Sequence, residues 1–157
     1  MIIFLTVQRH VLQLGFLPNL FTTLAKAPVA LETYVQASAI LGKTSLSTKE
    51  KEAVYLATSQ VNGCDYCLAA HTLFAGKAGL SAQDIVAARE GELNAYAALA
   101  QQLTQSRGHL SDEQIAAARA AGIDDVKIIE VIALVAVQTL TNYLNNVALT
   151  DIDFPAI

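Results

Sequence analysis

Two cysteines, a histidine and a glutamate stand at spacings that can do redox chemistry. Cys64 and Cys67, both cysteines of the chain, are three residues apart; His71 follows four residues later and Glu52 precedes Cys64 by twelve. On an α-helix, steps of three and four residues return to the same side, so Cys64, Cys67 and His71 form one stripe, and a thiol pair and a base can face one pocket. Asn62-Gly63 reads as the end of a preceding helix, which puts Cys64 at or just before the start of the next. There the unpaired backbone N–H groups and the positive end of the helix dipole favour thiolate over thiol. Peroxide reduction or disulfide exchange needs a thiolate nucleophile, a second thiol within disulfide reach, and a proton donor for the leaving oxygen or thiolate. The two cysteines supply the thiols. His71 can exchange a proton near neutral pH, and Glu52 can orient or protonate that system if the two helices pack antiparallel.

Zinc is the competing reading, with Cys64, Cys67, His71 and Glu52 as ligands. Structural zinc sites usually draw a second compact ligand pair from elsewhere, and His10 and His109 are isolated. A c-type haem attachment is excluded because Leu68, not histidine, follows Cys67. The redox reading requires no metal, haem or flavin.

The elements that must position these residues are helical. Strand-type alternation never persists, whereas helical periodicity runs nearly throughout. Three starts carry a capping box, in which a Ser side chain and a residue three later satisfy each other's backbone N–H: Ser47 with Glu50, Ser81 with Asp84, Ser111 with Gln114. Leu46, Leu80 and Leu110 precede them as candidate hydrophobic staples. Gly42, Asn62-Gly63, Gly79, Gly91, Gly108 and Gly122 read as stops in which Gly or Asn takes the left-handed cap conformation. Helices are therefore predicted near 19–26, 29–41, 48–61, 65–78, 82–90, 93–106, 112–121 and 125–148, with Pro18 and Pro28 at first-turn or boundary positions. A weak similarity between Glu52–Gln60 and Glu130–Gln138 implies neither a linker nor a second domain.

Composition limits what this helical chain can do. With 157 residues, 54% hydrophobic and 15% charged, it is read as one domain spanning 1–157 that can build its core unaided. Ten scattered basic residues against fourteen acidic ones make no cationic stripe, so nucleic acid is not an expected partner. The uncharged run from Val131 to Thr150 has the length of a membrane span but contains Gln138, Asn142, Asn145 and Asn146. It reads as a helix with one wet or inter-subunit face. Met1 to Val7 is apolar but short and lacks a preceding basic residue, so no signal peptide or membrane is expected and the location is read as cytoplasmic. The apolar excess is expected to cover a subunit interface.

The signature of Glu, eleven residues, Cys-x-x-Cys, three residues and His resembles that of the AhpD-like alkylhydroperoxidases within the carboxymuconolactone decarboxylase superfamily. Leu17-Pro-Asn-Leu-Phe21, Gly42-Lys-Thr-Ser-Leu46, Asn142-Tyr-Leu-Asn-Asn-Val147 and Asp151-Ile-Asp-Phe-Pro155 are similar to its peroxidase-related branch, so the resemblance covers nearly the whole chain. It implies an all-α fold with the motif on a helical hairpin, and a homo-oligomer that is a dimer, trimer or hexamer. It also implies Cys67 as the peroxide-attacking thiol, Cys64 as the resolving thiol, and His71 and Glu52 as the proton relay. The residues alone lean instead toward Cys64 as the activated thiol, since it lies nearer the helix start. Tyr66 is a departure, because the best-known relatives have histidine between the cysteines and tyrosine is no base near pH 7.

The activity this implies is a thiol-dependent peroxidase: a hydroperoxide is the substrate, and an external dithiol, lipoyl or thioredoxin-like, restores the thiols. The alternatives are a decarboxylating lyase, in which the cysteines are accidental, and a redox-responsive oligomer that turns over nothing. Tyr55, Tyr66 and Phe74 are candidate pocket residues, whereas Phe16, Phe21 and Tyr34 read as core. His109 reads as a solvated connector and His10 as a surface residue of the first helix. Glu130 reads as an early-helix carboxylate or a second buried acid. Asn142, Tyr143, Asn145 and Asn146 read either as cross-subunit hydrogen-bonders or as a locally satisfied polar face.

Overall fold

A computed structural model describes residues 15–154, within which there are eight helices and no strand. His10, Met1 to Val7 and Pro155 lie outside these described residues. The helices are α1 (Asn19–Leu24), α2 (Pro28–Leu41), α3 (Thr48–Val61), α4 (Asp65–Lys77), α5 (Ala82–Arg89), α6 (Ala95–Ser106), α7 (Asp112–Ala120) and α8 (Asp125–Ala148). All three capping boxes form, at Ser47, Ser81 and Ser111. Pro28 occupies the first turn of α2, where its missing N–H costs nothing.

The fold is organised around α3, which packs against α4, α5, α6 and α8. Its sequence explains this position. Ala53, Val54, Leu56 and Ala57 are wholly buried, and the small residues allow neighbours to approach closely. Ala97 and Ala100 of α6 and Val131 and Leu134 of α8 complete the same core. A second, smaller apolar cluster gathers around Cys64, Tyr66, Cys67, Ala70 and Phe154, so the redox motif has its own local core.

One expectation about caps is corrected. Gly42 has φ −58°, an ordinary helical value, and ends α2 without a left-handed residue. The left-handed conformation is instead also taken by Arg107 at φ 56° and Leu149 at φ 49°. Glu130 is neither a buried acid nor a simple dipole partner. Its carboxylate accepts from the Ser45 N–H at 3.0 Å and the Ser45 hydroxyl at 2.6 Å, which ties α8 to the loop entering α3.

By length and composition α8 could cross a membrane. In the fold it runs along α2, α3, α4 and α6 and buries Gln138, Thr141, Asn142 and Asn145 against them. Its outer side carries an uncharged apolar stripe: Val126, Ile129, Ile132, Leu140, Tyr143 and Val147 are all exposed.

Candidate active site

The turn between α3 and α4 sets the position of the cysteines. Gly63, at φ 60°, takes the left-handed conformation that a Cβ would disfavour. The Gly63 N–H then donates to the Gln60 carbonyl and the Cys64 N–H to the Ser59 carbonyl, the paired bonds of a Schellman cap. Cys64 thus closes one helix while opening the next. As the N-cap of α4 its Sγ accepts from the Cys67 N–H at 3.3 Å, doing what a serine oxygen does elsewhere in the chain.

Cys64 and Cys67 form a disulfide, with Cα atoms 5.3 Å apart, well within the range such a bond requires. Their surroundings differ. Both are buried, but Cys67, unlike Cys64, lines a cavity of about 60 Å³. That is room for a few waters or one small organic group. Around it stand Leu20, Phe21, Tyr34, Ala70, Phe74 and Phe154, so the wall is mostly aromatic and apolar. Its polar members are few, among them His71, Gln138 and Asn145.

Glu52 and His71 meet as the spacing predicts. The His71 Nδ1 and a Glu52 carboxylate oxygen are 2.8 Å apart, and the side chains are only 15% and 10% exposed. Little water competes for that bond, so it fixes the imidazole. Tyr55 does not line the cavity, contrary to expectation. Its ring stacks on His71 at 4.7 Å, while Phe74 meets the imidazole edge-on at 5.9 Å. The imidazole is therefore clamped by one carboxylate and two rings.

Tyr66 lines the cavity but is already engaged. Its hydroxyl accepts from the Leu20 N–H at 3.1 Å, which joins α4 to α1, and its ring packs edge-on against Phe154. Burial pushes the phenol well above the ordinary tyrosine range and the adjacent Asp153 carboxylate adds to this, against the opposing effect of the Leu20 bond. Burial likewise raises Tyr34 and Tyr55, and the charge of Glu52 adds to both shifts. These tyrosines stay protonated through the physiological range and act as walls and anchors.

Phe21 and Tyr34, read as core, also line the cavity. The larger omission was α8. Asn145 donates from Nδ2 to the Cys67 Sγ at 3.3 Å. Asn142 accepts from the Asn62 amide at 2.9 Å and donates to the Ser59 hydroxyl at 3.2 Å, and Asn146 donates to the Asn62 carbonyl at 2.9 Å. These three asparagines bond within the chain and pin the end of α8 to the turn that carries the cysteines. Tyr143 and Asn146 of that set are exposed, whereas Asn142 and Asn145 are buried. Their spacing of three and four residues was visible, but nothing in it says that the polar face points inward. Among the described residues no group of three or more His, Cys, Asp or Glu side chains is arranged to hold a metal ion, and His109 is exposed in its loop.

The fold recurs in solved structures. An uncharacterized peroxidase-related protein from Silicibacter sp. TM1040 superposes with a TM-score of 0.79 at 18% identity, covering 92% of this chain and 81% of its own. The AhpD-core, peroxidase-related protein from Ralstonia eutropha JMP134 gives 0.80 at 22%, covering 92% and 82%. A cysteine-to-alanine variant of the debrominase Bmp8, in complex with 2,3,4-tribromopyrrole, gives 0.80 at 22%, covering 94% and 83%. No curated protein sequence matches this chain. The model of the carboxymuconolactone decarboxylase family matches residues 24–102, a stretch that holds Glu52, both cysteines and His71. With half of its length so matched, the chain belongs to the carboxymuconolactone decarboxylase family.

Proposed function

We propose that the protein is a thiol-dependent peroxidase that reduces small organic hydroperoxides. One observation carries this reading: Cys67 and His71 line the same aromatic cavity, while Cys64, bonded to Cys67, is not part of its wall. In the reduced form the Cys67 thiolate attacks the hydroxyl-bearing oxygen of the hydroperoxide. A sulfur–oxygen bond forms, the oxygen–oxygen bond breaks, and the alkoxide leaves as alcohol with a proton from His71. Since Glu52 occupies Nδ1, proton exchange falls to Nε2. The Cys64 thiolate then displaces hydroxide from the Cys67 sulfenic acid; with a proton this leaves as water, and the disulfide is formed. An external dithiol, lipoyl or thioredoxin-like, returns two electrons and two protons.

The cavity supports Cys67 over Cys64 as the attacking thiol, against the lean from helix position alone. The test is thiol counting with one equivalent of hydroperoxide. The reduced protein should lose two thiols, Cys64→Ser should accumulate a sulfenic acid, and Cys67→Ser should do neither. Full hydroperoxide turnover by Cys67→Ser, with a dithiol reductant, would overturn the assignment.

The likeness to a debrominase and the aromatic wall favour one second reading, reductive dehalogenation of a small aromatic. Two thiols become the disulfide, a carbon–bromine bond becomes carbon–hydrogen, and bromide and a proton leave. Bromide release from 2,3,4-tribromopyrrole faster than hydroperoxide loss would select it. A lyase would leave the buried cysteine pair without a role.

The homo-oligomer belongs to the same proposal. An uncharged apolar stripe on α8 is complementary to a copy of itself and to no charged partner, and closed symmetry lets one patch serve both subunits. Light scattering of the wild type reads the assembly's size.

A further inference from the structure

The proposed cycle uses Cys67, Cys64, His71 and Glu52, and leaves one buried polar group of the cavity wall unexplained. Asn145 is 4% exposed, and its two amide atoms have different fates. Nδ2 donates to the Cys67 sulfur at 3.3 Å. Oδ1 is buried yet accepts no hydrogen bond among the described residues. A buried carbonyl oxygen without a donor is destabilising, and native proteins seldom keep one where no ligand or water will meet it.

Its position is not slack. One turn before it Asn142 is held by Ser59 and Asn62, and the next residue, Asn146, is held by the Asn62 carbonyl. Just beyond, the Thr150 N–H donates to the Asn145 carbonyl as Leu149 takes its left-handed cap. The amide is therefore fixed relative to the same turn that fixes the sulfur. Asn145 and Cys67 line one cavity, otherwise walled by Leu20, Phe21, Phe74 and Phe154, and the Asn145 Oδ1 belongs to the same amide group whose Nδ2 meets the Cys67 sulfur.

We propose that Asn145 is a catalytic residue that holds both reactants: Nδ2–H grips the Cys67 thiolate, and Oδ1 accepts the O–H of the hydroperoxide. The oxygen that carries this hydrogen is the one that sulfur attacks, so the bond to Oδ1 sets it above Sγ, and the apolar wall takes the organic group. This inference rests on the peroxidase reading and adds to it a selection rule. The preferred oxidant carries a hydrogen-bond donor on the attacked atom, and a thiol reagent without one gains nothing from Oδ1.

The test compares tert-butyl hydroperoxide with methyl methanethiosulfonate, a thiol reagent that has no O–H or N–H. Rates of Cys67 loss are measured in the Cys64→Ser background, so that each reagent reacts once. Asn145→Ala should slow both reagents through the lost donor, and slow the hydroperoxide at least about tenfold more, as loss of one positioned polar group at a reacting centre does. The isosteric Asn145→Asp keeps an acceptor and the side-chain shape but loses the donor. It should slow both reagents together and leave their ratio within about threefold of the parent. Should Asn145→Ala fail to fold by circular dichroism, the Asp variant alone decides: a ratio that collapses there overturns the proposal. An unchanged ratio in a folded Ala variant also overturns it, since a merely structural asparagine would slow both reagents alike. A parent protein that consumes no hydroperoxide removes the peroxidase reading itself, a different and separately visible failure.

Discussion

The two halves of α8 obey opposite rules. The N-terminal half buries Val131, Leu134 and Val135 and stabilises the fold by ordinary hydrophobic packing. The C-terminal half buries Gln138, Thr141, Asn142 and Asn145 while Leu140, Tyr143 and Val147 face outward. A helix that hides its amides must satisfy them inside the fold. Inside, the partners are the Ser59 hydroxyl, the Asn62 amide and the Cys67 sulfur. The difference teaches that one helix can be core at one end and active-site wall at the other. In the second role, position is set by directional hydrogen bonds rather than by close packing.

Substitutions can break this comparison. The largest loss is expected from Leu134→Ala in the packed half. It opens a cavity at a wholly buried site and should cost about 2–5 kcal/mol in urea unfolding, while the reactivity of Cys67 in the surviving folded fraction is unchanged. In the polar half, Asn142→Ala removes one hydrogen bond each from Asn62 and Ser59, which keep Thr139 and Gln138, and should cost about 1–3 kcal/mol. Unlike Leu134→Ala, it should also alter the rate at which Cys67 reacts. Equal effects of both variants on that rate would erase the distinction between the halves.

Alkali sharpens the comparison, because buried tyrosines flank the site. Tyr34, Tyr55 and Tyr66 all have raised pKa values, chiefly from burial. The unfolded chain releases these protons near pH 10 and the folded chain does not, so their contribution is intact below about pH 10 and is lost as pH rises beyond it. Urea midpoints should fall above that pH, and Tyr34→Phe should make the fall shallower. The smallest effect is predicted on the outer stripe: Val147→Ser should change the stability of an isolated subunit by no more than about 0.5 kcal/mol. Any assembly seen by light scattering should weaken in the same variant.

Much of this was legible in the sequence because local chemistry forces it. A capping box can be read from residues three apart, and the start of α3 follows from one, whereas the bounds of α8 follow from its apolar period after the Gly122 stop. Glu52 and His71 were legible because the helical hairpin brings them together from fixed offsets. What escaped was decided over long separations. Asn145 reaches a cysteine far away in sequence, Glu130 clamps Ser45 across the fold, and Phe154 returns to pack on Tyr66 and Phe74. An asparagine face has the same pattern whether it meets water or a buried amide. The left-handed Arg107 and Leu149 have no residue-type signal at all, since neither side chain favours that conformation.

The Schellman turn at Gly63 has a consequence for the energetics of turnover. It fixes Cys64 through the Ser59 carbonyl, while α4 fixes Cys67, so both sulfurs are held by backbone bonds that do not involve the cross-link. A disulfide restrains an unfolded chain in proportion to the logarithm of the loop it closes, and this one closes a sequence separation of only 3. Electron transfer into the bond is thereby nearly decoupled from folding. In the proposed cycle a reductant would then work against sulfur chemistry alone.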